Sequence, residues 1–132
     1  MIVKKKTRIK EEEFFLPIRR LFPLRRYLIK REIPFNGKTI DVLLMDRKSH
    51  RLIAIELKVH KWKKALRQAA VYQLCASQVY IALWHKHINE TNKELIANYG
   101  IGIIEVKKIG KNTLKSEIIL SPKQPELLNR QY

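Results

Sequence analysis

The apolar positions of this chain change period as the sequence advances. From Glu11 to Arg31, Phe14, Ile18, Leu21, Phe22, Leu28 and Ile29 recur mostly at steps of three and four. Arg19, Arg20, Arg25, Arg26 and Lys30 fill the other side, so the pattern predicts an amphipathic helix, or two pieces kinked at Pro23. Beyond it the segment Glu32 to Phe35 reads as extended, and Asn36-Gly37 is a tight-turn signal. Two apolar runs, Ile40 to Asp46 and Arg51 to Val59, then flank the polar turn Arg47-Lys48-Ser49-His50. With Asp46 opposite Arg51, opposed residue numbers sum to 97, which sets Asp41 opposite Glu56. Lys58, two residues on, shares their face. Leu43, Met45, Leu52 and Ala54 complete that face, and Ile40, Val42, Leu44, Ile53, Ile55, Leu57 and Val59 form the other. Apolar residues on both faces predict central, buried strands.

A helix is expected from about His60 to Ser77, with Trp62, Leu66, Ala69, Ala70, Leu74 and Cys75 as its core stripe. Val79 to Trp84 is the next buried strand, and a right-handed crossover places it parallel to the strand ending at Val59. Thr91-Asn92-Lys93-Glu94 has the form of a capping box opening a short helix to about Asn98. Ile101 to Lys107 and Thr113 to Leu120 form a last hairpin. These elements describe one α/β domain over residues 1–132: a mixed central β-sheet flanked by helices, with a basic arm at 1–10 and a tail at 121–132.

Composition adds a partner class. The chain has 28 Lys and Arg against 12 acidic residues, a net charge of +16. Such an excess calls for an anionic partner, nucleic acid foremost. No apolar run approaches the ~20 residues of a membrane span, so no membrane is expected. The single cysteine, Cys75, excludes an internal disulfide framework and fits a reducing, cytoplasmic setting.

The polar residues inside the apolar runs carry the candidate chemistry. Two carboxylates facing each other beside a buried surface need a positive group between them. Lys58 can supply it within a structural Asp–Lys–Glu network, and a divalent cation is the other candidate. Lys61, Lys63, Lys64 and Arg67 crowd the first turns of the following helix, where the macrodipole disfavours cations unless an anion binds there. Gln68 and Tyr72, four apart, stack on one face of that helix. Glu11, Glu12 and Glu13 suit the positive end of the first helix, and Glu32 is a secondary acid opposite Asp41. His50, His60, His85 and His87 offer only a weak zinc pattern.

Asp41, then fifteen residues on Glu56-Leu57-Lys58 at a strand end, resembles the signature of the PD-(D/E)XK nuclease superfamily, with Ile40 where proline often stands. Gln68 and Tyr72 are similar to the Q-xxx-Y element of some of its branches. The resemblance covers roughly residues 11 to 108. It implies a restriction endonuclease-like core and a Mg²⁺- or Mn²⁺-dependent deoxyribonuclease, an endonuclease on duplex or branched DNA. Asp41, Glu56 and the main-chain carbonyl of Leu57 would hold the ion, and Lys58 would serve the attacking water. Gln68 and Tyr72 would orient phosphate or Lys58, Glu13 would be the N-terminal glutamate of the site, and Arg19 and Arg20 would join the lysine-rich helix in gripping DNA. A homodimer follows by analogy, with Phe14, Phe15 or the last hairpin as its interface. A non-catalytic nucleic-acid-binding module on the same core, or a purely structural basic domain, is the competing expectation.

Overall fold

The computed structural model describes residues 8–123; the expected arm and the end of the tail lie largely outside them. Six strands form one sheet in sequence order: β1 (Tyr27–Phe35), β2 (Lys38–Asp46), β3 (Leu52–Lys58), β4 (Gln78–Trp84), β5 (Gly102–Lys108) and β6 (Leu114–Leu120). β3, β4 and β5 run parallel, and the other pairings are antiparallel. Helix α1 (Phe15–Leu21), entered through a 3₁₀ turn at Glu11–Phe14, covers one face. Helix α2 (Trp62–Tyr72) and the short α3 (Lys93–Asn98) cover the other. The fold is therefore a mixed α/β sandwich.

The first helix is much shorter than the periodicity suggests. α1 ends at Leu21, immediately before Phe22-Pro23, and Leu28 and Ile29 belong to β1. Proline stops the helix, and the apolar steps beyond it are strand alternation, since β1 buries alternate residues more deeply over most of its length. Phe14 and Ile18, buried on α1 and its entry turn, pack with Val42, Ile55, Tyr80 and Trp84. Phe14 stacks on Trp84 and is fully buried, so it offers no dimer interface. Phe15 is half-buried beneath the guanidinium of Arg31, 4.1 Å from its ring centre.

The register of β2 and β3 is the one counted from the sequence: Val42 opposite Ile55, Leu43 opposite Ala54, Leu44 opposite Ile53 and Met45 opposite Leu52. Asp46 locks the turn. It accepts from the main-chain N–H of Lys48 at 2.9 Å and from Arg26 at 3.1 Å, and the Arg26 bond holds its carboxyl down to about 2. The faces do not stay in step, however. Val42 and Leu44 pack beneath α1, whereas Ile40, of the same parity, packs beneath α2. β2 thus switches faces around Asp41, next to Glu32, whose φ of +54° interrupts the regular β1 ladder.

α2 is also shorter than expected, with Ala65, Leu66, Ala69 and Tyr72 buried and Leu74 75% exposed. The helix has ended by then, so Leu74 has left the helical stripe. In α3 the cap is Asn92, which accepts from Leu95 N–H at 3.0 Å, while Thr91 is buried and donates to the carbonyl of His87. At the far side Ser116 of β6 donates to the carbonyl of Pro17 at 2.6 Å, tying the sheet to α1.

Gly102 opens β5 where the chain leaving β6 passes over it. A Cβ there would lie 2.7 Å from the carbonyl oxygen of Leu120 and 2.8 Å from Cδ of Pro122. Gly102→Ala is therefore expected to destabilise the fold by about 1–3 kcal/mol, the usual cost of overpacking. Urea unfolding should show a lower midpoint at unchanged slope.

Candidate active site

Asp41 and Glu56 meet at the edge of the sheet formed by the C-terminal end of β3. Bonds in an antiparallel ladder alternate, so after Val42–Ile55 the N–H of Leu57 would next go to Ile40. Instead Asp41 Oδ2 takes it, at 2.8 Å. β2 and β3 part at this point, and a carboxylate replaces a carbonyl in the ladder. The split brings the Asp41 and Glu56 side chains within hydrogen-bond contact of each other.

Glu56 is the buried member, at 4% exposure. Burial, then the Asp41 charge, push its carboxyl from the ordinary 4.5 up to about 8. Burial also raises Asp41, opposed by the Leu57 N–H. Tyr72, fully buried on α2, closes the far side. Its hydroxyl lies 2.7 Å from the carbonyl of Thr39 and 3.1 Å from Glu56 Oε1. A phenol has one proton to donate. That proton is shared between two acceptors, the Thr39 carbonyl and Glu56 Oε1, and its donation to Glu56 favours the ionised carboxyl against burial. Burial and the Glu56 charge push the Tyr72 hydroxyl well above its ordinary range, which keeps it a donor.

Lys58 stands two residues past Glu56, mostly buried, with Nζ 3.9 Å from Oε1 of Glu11. Its charge favours the ionised forms of both Asp41 and Glu56, while that of Glu11 opposes ionisation of Asp41. The N-terminal glutamate nearest the site is therefore Glu11. Glu13, the residue chosen from the sequence, turns back to accept from the N–H of Lys10 at 2.7 Å and caps the 3₁₀ turn. The choice was hidden because Lys10 is not a usual capping residue, so nothing marked Glu13 as already engaged. Glu32 is exposed and stays outside the cluster.

Gln68 lies one turn before Tyr72. Its Oε1 is buried and has no hydrogen-bond partner among the described residues. A buried acceptor left bare is costly, and an added donor at that face would satisfy it. Lys61, Lys63, Lys64 and Arg67 are exposed around a shallow groove with Trp62 and Glu90. Lys61 sits at the helix N-cap in the left-handed region with no side-chain cap, leaving the first N–H groups open. Only three residues separate Lys58 from α2, so these cations border the carboxylate edge.

Arg19 and Arg20 are not brought there. α1 runs from Phe14, on Trp84 at the end of β4, to Phe22, on Tyr80 near its start, and both arginines occupy its last turn. His60 and His87 approach at 5.8 Å between ring centres, but His87 pairs with Glu90 at 3.2 Å. No cluster of three or more His, Cys, Asp or Glu side chains with ligand geometry occurs among the described residues.

No family model matches the chain, and no curated protein does. Among solved structures, the SPO1766 protein of unknown function from Silicibacter pomeroyi is similar at TM-score 0.51 and 19% identity, over 83% of this chain and 73% of that one. Pyrococcus furiosus SfsA in complex with Ca²⁺ is similar at TM-score 0.45 and 13% identity, over 86% of this chain and 63% of that one. The first likeness is one of fold.

The Glu56 shift makes stability depend on pH. Between pH 4.5 and about 8 the unfolded chain has released a proton that the folded chain retains, so stability falls as pH rises. In EDTA, the thermal midpoint is expected to decline from pH 5 to pH 8, and Glu56→Gln should flatten that decline. A midpoint equally steep in the variant would place the proton elsewhere.

Proposed function

We propose that this chain is a metal-dependent nuclease that hydrolyses DNA phosphodiester bonds, an endonuclease with a restriction endonuclease-like core. One observation carries the reading: half-buried Asp41 and buried Glu56 converge at a break in the β2–β3 ladder, where burial raises both carboxyls and the Asp41 charge raises that of Glu56 further. The surroundings ask for positive charge, and Lys58 alone, shared with Glu11, does not meet the demand of three carboxylates.

The donor set fits Mg²⁺ or Mn²⁺, hard ions that take carboxylate and carbonyl oxygens and retain waters for a phosphate substrate. Asp41, Glu56 and the Leu57 carbonyl would hold the ion, which when bound activates water and offsets charge on the scissile phosphate. The chain's own residues do the rest. Tyr72 fixes Glu56 against β2 through Thr39 and keeps its carboxyl from turning away. Lys58 presents an ammonium at the same edge, suited to holding the nucleophile and compensating negative charge as it develops. Gln68 offers its bare Oε1 to a donor there. Lys61, Lys63, Lys64 and Arg67 take flanking phosphates beside open helix N–H groups.

The test is cleavage of plasmid, linear and four-way-junction DNA in Mg²⁺, in Mn²⁺ and in EDTA. Asp41→Ala and Glu56→Ala are each expected to abolish turnover while DNA binding survives. Lys58→Ala should cost roughly 10²–10³-fold in rate, the usual worth of one electrostatic stabiliser. Gln68→Ala should lower turnover more than affinity. Cleavage that survives either acid substitution, or ignores EDTA, would overturn the proposal. Tight, salt-sensitive binding without cleavage would instead make the chain a nucleic-acid-binding module, the salt slope counting its phosphate contacts.

A further inference from the structure

β6 is an edge strand of the sheet, and its charges are set against their own kind. Lys115 lies opposite Lys107 of β5, and Glu117 opposite Glu105. Like charges directly opposed across a ladder are destabilising. Among the described residues, none of the four has an ion-pair partner within 4.0 Å. Lys115 and Glu117 are exposed. Within one chain, this arrangement costs stability and gains nothing visible.

The backbone shows where the missing opposite charges fit. Ile109 N–H donates to Thr113 at 2.8 Å, and bonds alternate from there. Lys115 and Glu117 therefore exchange bonds with β5, and the N–H and C=O groups of Leu114, Ser116 and Ile118 face the open edge. Among the described residues, the chain after β6 turns back over β5, where Lys123 N–H donates to the carbonyl of Gly100, and leaves that edge uncovered. An open row of this kind is a template for another strand.

We infer that β6 pairs antiparallel with β6 of a second copy of this chain, about a two-fold axis through Ser116. Only this register matches all three outward residues, Ser116 with its own copy and Leu114 with Ile118. The same register sets Lys115 opposite Glu117 of the other copy, and Glu117 opposite its Lys115. Shifting by one step of the open row in either direction would oppose Lys115 or Glu117 to itself. The apolar contribution comes from Ile118, 38% exposed in the single chain, meeting Leu114 on the α1 face. The two-fold runs normal to the sheet, so the carboxylate edges face opposite ways and each copy keeps a complete site. One short ladder belongs to the small, transient class of interface.

Sedimentation velocity of the full chain, from low to several hundred micromolar, tests this pairing independently of any cleavage. A concentration-dependent dimer is expected. Lys115→Glu alone, and Glu117→Lys alone, should each weaken it by roughly tenfold, as two like-charge pairs replace two attractive ones. The double exchange Lys115→Glu/Glu117→Lys should restore it, because only the register through Ser116 makes the two positions partners. A monomer at every concentration would overturn the inference. So would single variants that dimerise like the parent, or a double exchange that fails to recover association while its thermal midpoint matches the parent.

Discussion

Two carboxylates in one buried corner are the constraint around which the sheet is arranged. Asp41 cannot enter the core and cannot leave the ladder, so it takes the Leu57 N–H that a neighbouring carbonyl would otherwise hold. The strand must part and change faces to allow it, which is why Ile40 packs under α2 and Val42 under α1. Glu56 then faces the gap, with Tyr72 and Thr39 closing behind it. Neutralising either acid by substitution would relieve the electrostatic crowding of the corner. Sites that perturb carboxylates this far commonly trade stability for function.

What sequence alone conveyed, it conveyed where one physical rule dominates. Period two, a four-residue turn and an apolar face on each side were enough to set the register from Met45–Leu52 to Val42–Ile55, the last pair before the strands part at Asp41. The parallel crossover to β4 followed from handedness. The rule failed where two rules competed. Leu28 and Ile29 satisfy a helical step and a strand alternation alike, and Pro23 decided the matter in favour of the strand. Leu74 fits the α2 stripe in one dimension, but the helix stops before reaching it.

The site was legible in its charges and illegible in its hydrogen bonds. Asp41, Glu56 and Lys58 stand out as ions in apolar strands. Nothing in the string tells Glu11 from Glu13, because one glutamate caps a turn and the other reaches Lys58 only once the chain direction at Lys10 is known. The orphaned oxygen of Gln68 and the bond from Tyr72 to Thr39 likewise depend on where α2 settles on the sheet. Arg19 and Arg20 carry the right charge at the wrong end of α1, a question of direction that composition does not address.

The Tyr72 hydroxyl also makes α2 a lever. Eleven residues of helix form a rod of roughly 16 Å, with lysines at one tip and the phenol near the other. The rod begins four residues beyond Lys58 and is pinned to β2 by the Thr39 carbonyl. A load on Lys61 or Lys64 therefore acts on a shaft whose other end bears on Glu56. Exposed lysines and buried phenol share one rigid part, so displacement of the helix N-terminus is transmitted mechanically to the carboxylates.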